Sequence, residues 1–146
     1  MPFENPQRGT LRILLGIDHA LVRRAIRKIL EVAQPQWELV AEVGDGWEAI
    51  DTAVALRPGV VVLDIALRRL SGIDATQQIV RRAPRTPVVL FSLQANEANV
   101  RRAQLVGAKG FVVLDAAGQD LVTAIAAAAA GESFFRHGDR SRLGSR

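Results

Sequence analysis

The stretch Val60-Val61-Val62-Leu63-Asp64-Ile65-Ala66-Leu67-Arg68-Arg69-Leu70-Ser71-Gly72 decides the fold. Four successive apolar residues, three of them β-branched, predict a strand buried on both faces, as in a parallel sheet. Asp64 closes the run. A carboxylate at the C-terminal end of such a strand lies on the rim where open α/β sheets place their ligand sites. A second acid, Asp18, follows another apolar run, Leu11 to Ile17. Two acids at the ends of two inner strands form an oxygen-rich pocket suited to a hard divalent cation, and one of them also suits a phosphoryl-accepting nucleophile. Asp18 has a second reading, as the N-cap of the helix it precedes.

Outward from this stretch, strands and helices alternate. Leu11 to Leu15 predicts the first strand. A helix from Asp18 to Ala33 follows, with Val22, Ile26, Ile29, Leu30 and Ala33 on one face. Trp37 to Val43 predicts the second strand, and Asp45 caps a helix that ends near Arg57, with Glu48 as its reciprocal partner. After the third strand come a helix over Gly72 to Arg82, a strand over Val88 to Phe91 and a helix over Asn96 to Val106. A strand over Phe111 to Leu114 and a helix over Ala117 to Ala130 complete the series, closed by Gly131. Asp115 is placed to cap that last helix. Five βα units predict a parallel sheet with helices on both faces. The expected domain is 10–131, preceded by a flexible extension over 1–9 and followed by a polar tail over 132–146.

Composition narrows the classes. With 146 residues, 49% hydrophobic and 23% charged, the chain suits one globular domain. There is no cysteine, which excludes a disulfide framework and a thiolate metal site. The N-terminus lacks a signal-peptide pattern, and the longest near-apolar stretch, Leu121 to Ala130, is too short to span a bilayer. A cytoplasmic location and no membrane association are expected. The net charge of +4 rests on arginines paired at 23–24, 68–69, 81–82 and 101–102. They are scattered over several helices without a nucleic-acid motif, so no nucleic-acid binding by this chain alone is expected. His19 and His137 lack the paired spacing of metal ligands.

Taken together, Asp45-Gly46, Val61-Val62-Leu63-Asp64, Leu70-Ser71-Gly72, Phe91-Ser92-Leu93, Gly107-Ala108-Lys109-Gly110-Phe111 and Ala130-Gly131-Glu132-Ser133 resemble bacterial two-component response-regulator receiver domains. The resemblance runs from Thr10 to about Phe135 and is nearest to receivers fused to LuxR/NarL-type helix-turn-helix outputs. It implies a flavodoxin-like (βα)5 fold with a five-stranded sheet of order 2-1-3-4-5. It also implies a non-enzymatic phosphorelay switch partnered by a sensor histidine kinase or another signalling protein, and able to dimerise. Asp64 matches the phosphoacceptor. Asp18, Asp64 and the backbone carbonyl of Ala66 match the Mg²⁺ ligands, Ser92 the phosphoryl-binding hydroxyl, and Phe111 the aromatic switch. Ser92 has a plainer reading as a turn hydroxyl.

Three positions depart from the family pattern. Ile17 replaces the first of two adjacent acids, Leu114 replaces the lysine that pairs with the phosphoacceptor, and Arg68-Arg69 replaces Pro-Gly. A charge-assisted hydrogen bond is worth roughly 1.5–3 kcal/mol, so losing one weakens phosphorylation by about tenfold to a hundredfold without forbidding it. Loss of an acid at Ile17 also lowers the negative charge of the metal site, so Mg²⁺ binding is expected to be weak or absent. Arg68 or Arg69 is a candidate replacement for the lysine, against Asp64 or a bound phosphate. The alternative is that both extend into solvent. The competing function is a pseudo-receiver that binds partners without phosphorylation.

Overall fold

A computed structural model describes residues 10–94, 96–115 and 117–136. The expected extension over 1–9, His137 and the remainder of the expected tail lie outside the described residues. The strands are β1 (Arg12–Gly16), β2 (Glu38–Val43), β3 (Val60–Asp64), β4 (Val88–Ser92), β5 (Gly110–Val113) and β6 (Phe134–Phe135). The helices are α1 (Ala20–Ala33), α2 (Gly46–Leu56), α3 (Gly72–Arg82), α4 (Glu97–Leu105) and α5 (Gln119–Ala129). The strands run parallel in the order β2-β1-β3-β4-β5-β6. Every residue of β3 and β4 is buried, as strands covered on both faces require.

Alternation along each strand divides the core in two. Leu14, Val61, Leu63, Val88, Leu90 and Phe111 pack with the apolar faces of α2, α3 and α4. Ile13, Leu15, Val60, Val62, Phe91 and Val112 pack with α1 and α5 through Ile26, Leu30, Leu121 and Ile125. No helix among the described residues is long and apolar enough to cross a membrane.

Capping chemistry sets the helix starts, and it corrects two sequence expectations. α1 begins at Ala20, with Nδ1 of His19 accepting the Val22 N–H at 3.5 Å. His19 caps that helix, and Asp18 is left on the sheet rim. Asp115 accepts the Gly118 N–H at 2.7 Å in the turn before α5, but the residue at the cap itself is Gly118, with φ +65°. Elsewhere the caps are as expected: Asp45 accepts from Glu48 N–H at 2.9 Å, and Glu48 Oε1 accepts in return from Gly44 N–H at 3.1 Å.

The sheet has six strands where five were expected, and the segment from 132 is not all tail. Gly131 adopts φ +84°, a left-handed conformation natural to glycine, and the chain reverses. Phe134 N–H then donates to Lys109 C=O at 2.9 Å, and Arg136 N–H donates to Phe111 C=O at 2.6 Å. The open edge of β5 supplies acceptors that would otherwise stay unpaired. Phe135 packs toward one core half and Phe134 toward the other.

Candidate functional site

Parallel pairing brings the C-terminal ends of β1, β3 and β4 to one rim. Asp64 is the last residue of β3 and is in register with Phe91, next to Ser92 at the end of β4. The close approach of α3 to this rim depends on Gly72. A Cβ there would lie 2.3 Å from the carbonyl oxygen of Asp64, so only a glycine lets the helix start against the strand end. Gly46 does the same for α2, since its Cβ would lie 2.2 Å from the carbonyl oxygen of Leu70.

Asp64 is 7% exposed. Its Oδ1 accepts the Ala66 N–H at 2.8 Å, an intra-loop turn rather than a helix cap, because α3 is capped by Ser71. Burial pushes the Asp64 carboxyl above the ordinary carboxylate range. The Ala66 N–H opposes that rise, Asp18 adds to it, and His19 opposes it. Asp64, Ala66 and Ser92 line a common cavity of about 310 Å³, together with Gln94, Asn96 and Asn99. Ser92 Oγ accepts the Gln94 N–H at 3.1 Å, leaving its own O–H free to donate.

Asp18 lines a different cavity, of about 400 Å³, with Arg23, Asp45, Glu48, Arg68 and Arg69. Arg68 Nε lies 3.9 Å from Asp18 Oδ2, and Arg69 Nη1 lies 3.5 Å from Asp45 Oδ2. Neither arginine is paired with Asp64 here: of the two alternatives, largely exposed side chains are what the structure has, each at the edge of an acid other than Asp64. The reason is in the loop backbone. Gly46 N–H donates to Arg68 C=O at 3.1 Å, and Asp45 bridges Arg68, so the loop at Arg68 is held against the start of α2. Arg69 sits at φ +68° while Leu70 N–H donates back to Arg68 C=O at 2.7 Å. That three-residue turn is strained for a residue with a side chain.

The departures have structural correlates. Ile17 is fully buried among the α1 and α5 core residues. Its carbonyl accepts from the Arg23 guanidinium, which also reaches Val43 C=O at 3.4 Å. Leu114 packs beside that same core half, and its N–H donates to Ser92 C=O at 2.8 Å. Phe111 is fully buried. Its register partner is Leu90, whereas Ser92 pairs with Val113.

Sequence reasoning missed three contributors. Arg23 figures in the sequence only as one of the scattered arginine pairs, yet its guanidinium closes the ends of β1 and β2. Asn96 and Asn99 were read only as the start of a helix. Their i, i+3 spacing was the available signal that they share a face at the N-terminus of α4.

A doubly wound parallel sheet with a buried carboxylate at the end of its central strand, an acid after the first strand and a hydroxyl after the fourth defines the receiver class. Comparison with known proteins agrees. The response regulator receiver domain family matches residues 13–126, and the chain belongs to that family. It is 34% identical over 126 residues to the transcriptional regulatory protein YxjL of Bacillus subtilis, covering 86% of this chain and 57% of the relative. It is 32% identical over 130 residues to the nitrate/nitrite response regulator NarP of Escherichia coli, covering 89% of this chain and 60% of the relative. A LuxR-family two-component response regulator from Aurantimonas superposes with a TM-score of 0.83 at 32% identity, covering 91% of this chain and 94% of the other. The receiver domain of the response regulator NarL from Mycobacterium tuberculosis gives 0.77 at 29% identity, over 84% and 98%. The chain spans just over half the length of the curated relatives it matches. It is a response-regulator receiver domain of two-component signalling. Receiver domains are in general non-enzymatic modules that interact with sensor histidine kinases and bind Mg²⁺ at the phosphorylation site.

Proposed function

We propose that Asp64 is the phosphoacceptor of this receiver and that Ser92 binds the phosphoryl group. The observation carrying this is the Asp64 carboxylate itself: buried at the end of β3, held through one oxygen by Ala66 N–H, and facing a cavity shared with Ser92. A carboxylate oxygen attacks the phosphorus of a phosphohistidine or a small acyl phosphate. The new O–P bond forms as the bond from phosphorus to the donor breaks, and the donor leaves with the electron pair. Catalysis here is positioning and charge neutralisation. The Ser92 O–H donates to one phosphoryl oxygen, and Phe111 reports the change at Ser92 through the neighbouring strand.

Asp18 lines the neighbouring cavity, and its charge adds to the rise of the Asp64 carboxyl. Asp18, Asp64 and the Ala66 carbonyl are the hard oxygen donors that would hold Mg²⁺, an ion that retains several waters and so needs few protein ligands. When bound, Mg²⁺ neutralises negative charge on the phosphoryl oxygens. Arg68 competes for Asp18, and Ile17 contributes no oxygen, so the affinity is low. The kinase, a cytoplasmic location, lack of turnover beyond self-dephosphorylation, a homodimer and a role in transcription through a further domain complete the reading. The relatives' names support the last of these.

Incubation with Mg²⁺ and acetyl phosphate followed by intact-mass measurement tests the assignment. A phosphoryl adduct on the wild type and none on Asp64→Asn is the expected result. A folded wild type without an adduct overturns it and leaves phosphorylation-independent partner binding.

A further inference from the structure

A phosphoryl group on Asp64 brings two negative charges into the smaller cavity, and the side chains around it must meet them. No lysine or arginine lines this cavity among the described residues. Arg68 and Arg69 are drawn to the Asp18 cavity. The end of β5 offers Leu114, whose side chain packs toward the core. What remains, beside the Ser92 hydroxyl, are amides on the α4 side. Asn96 Oδ1 accepts the Asn99 N–H at 3.2 Å, which fixes the orientation of the Asn96 amide and leaves its NH₂ as a free donor. Asn99 lies one turn further on the same face, half-buried, and lines the same cavity. The N-terminal end of α4, nine residues long, adds a field that favours an anion there. An independent observation points into the same space: Asp64 is more than nine-tenths buried and only its Oδ1 is engaged.

We propose that the side-chain amides of Asn96 and Asn99 donate hydrogen bonds to the phosphoryl group on Asp64, so that this receiver stabilises its phosphorylated state with uncharged donors from the start of α4. The proposal rests on Asp64 being the phosphoacceptor. Donors on α4 also tie the occupied pocket directly to that helix, so phosphorylation pulls on α4 without needing a cation from β5.

The test is the rate of adduct formation with Mg²⁺ and acetyl phosphate, followed by intact mass. Asn99→Leu removes the amide at a helix position, and Asn96→Ser removes the second amide while keeping an N-capping oxygen. Each variant is expected to be modified about tenfold more slowly than the wild type, the scale of one charge-assisted bond. Asn99→Lys, which restores a donor and adds charge, is expected to match or exceed the wild-type rate. A purely structural role for Asn99 would not give that rescue. Wild-type rates in both Asn99→Leu and Asn96→Ser would overturn the proposal while leaving Asp64 as phosphoacceptor. Absence of any adduct, wild type included, would overturn both.

Discussion

Replacing Gly72 with alanine sets two effects of opposite sign against each other. Helix propensity favours alanine over glycine by about 1 kcal/mol in a helix interior, and by less in the first turn. Against this, an ideal Cβ would sit 2.3 Å from the Asp64 carbonyl oxygen and 2.9 Å from both Asp64 C and Ile65 Cα. These are backbone atoms of a fully buried strand end, so no side chain can swing aside. Ordinary contact begins near 3.4 Å, so the start of α3 must retreat by roughly 1 Å. Retreat strains the Gly72 N–H to Ile65 C=O bond, now 3.0 Å, and loosens Ile73 and Thr76 from the core. Overpacking of this kind costs about 1–3 kcal/mol, so the clash prevails over propensity. Gly72→Ala is expected to lower unfolding free energy in urea by about 1–2 kcal/mol. The same shift moves Asp64 and slows its modification by acetyl phosphate at least severalfold. Equal or greater stability with unchanged modification would refute the argument that this glycine lets α3 start against β3.

Three further outcomes follow from the site. Asp64→Asn keeps the acceptor for Ala66 N–H and removes a buried charge. Because burial raises the folded-state carboxyl above its unfolded value, wild-type stability falls as pH rises through that raised range. The variant is therefore expected to gain roughly 0.5–2 kcal/mol at neutral pH and little at the acid end; an unchanged difference across pH would contradict this. Arg68→Ala frees Asp18 from an ion pair whose arginine is 74% exposed, a pair worth about 0–1 kcal/mol. Mg²⁺ affinity, followed by tryptophan fluorescence, is then expected to rise up to fivefold or so, and a fall would count against a metal at Asp18. Arg69→Gly relieves a left-handed backbone at the loss of a weak pair with Asp45, so thermal unfolding is expected to show a net gain of about 1 kcal/mol.

The elements were legible because their signals are local. The apolar run of β3, the amphipathic face of α1 and the capping residues of α2 each state their structure within a dozen residues. The place of Asp64 was legible for the same reason, since it closes a buried strand in a parallel sheet, whereas Ser92, which the structure puts at the end of β4, was singled out only through the family resemblance. The sixth strand was not. Two phenylalanines carry no periodicity, and their pairing depends on the free edge of β5 some twenty residues earlier. The direction taken by Arg68 and Arg69 was also invisible, because it is set by the contact of Gly46 with Leu70, between segments distant in sequence. The capping of α1 by His19 rather than Asp18 turned on a shift of one residue, which propensity does not resolve.

The pairing of Phe134–Phe135 alongside β5 also redirects the backbone after α5. α5 runs back against the strand direction, so a chain leaving at Gly131 would depart from the pole opposite Asp64. β6 instead runs parallel to β5 and carries the backbone up again toward the phosphoacceptor rim, with Arg136 lying 3.8 Å from Asp120 in the first turn of α5. The last described residue, Arg136, is thereby tied both to the β5 backbone at Phe111 and to the first turn of α5. At this edge the outermost described strand is only two residues long, a short template for another sheet to extend, whereas the opposite edge is the six-residue β2.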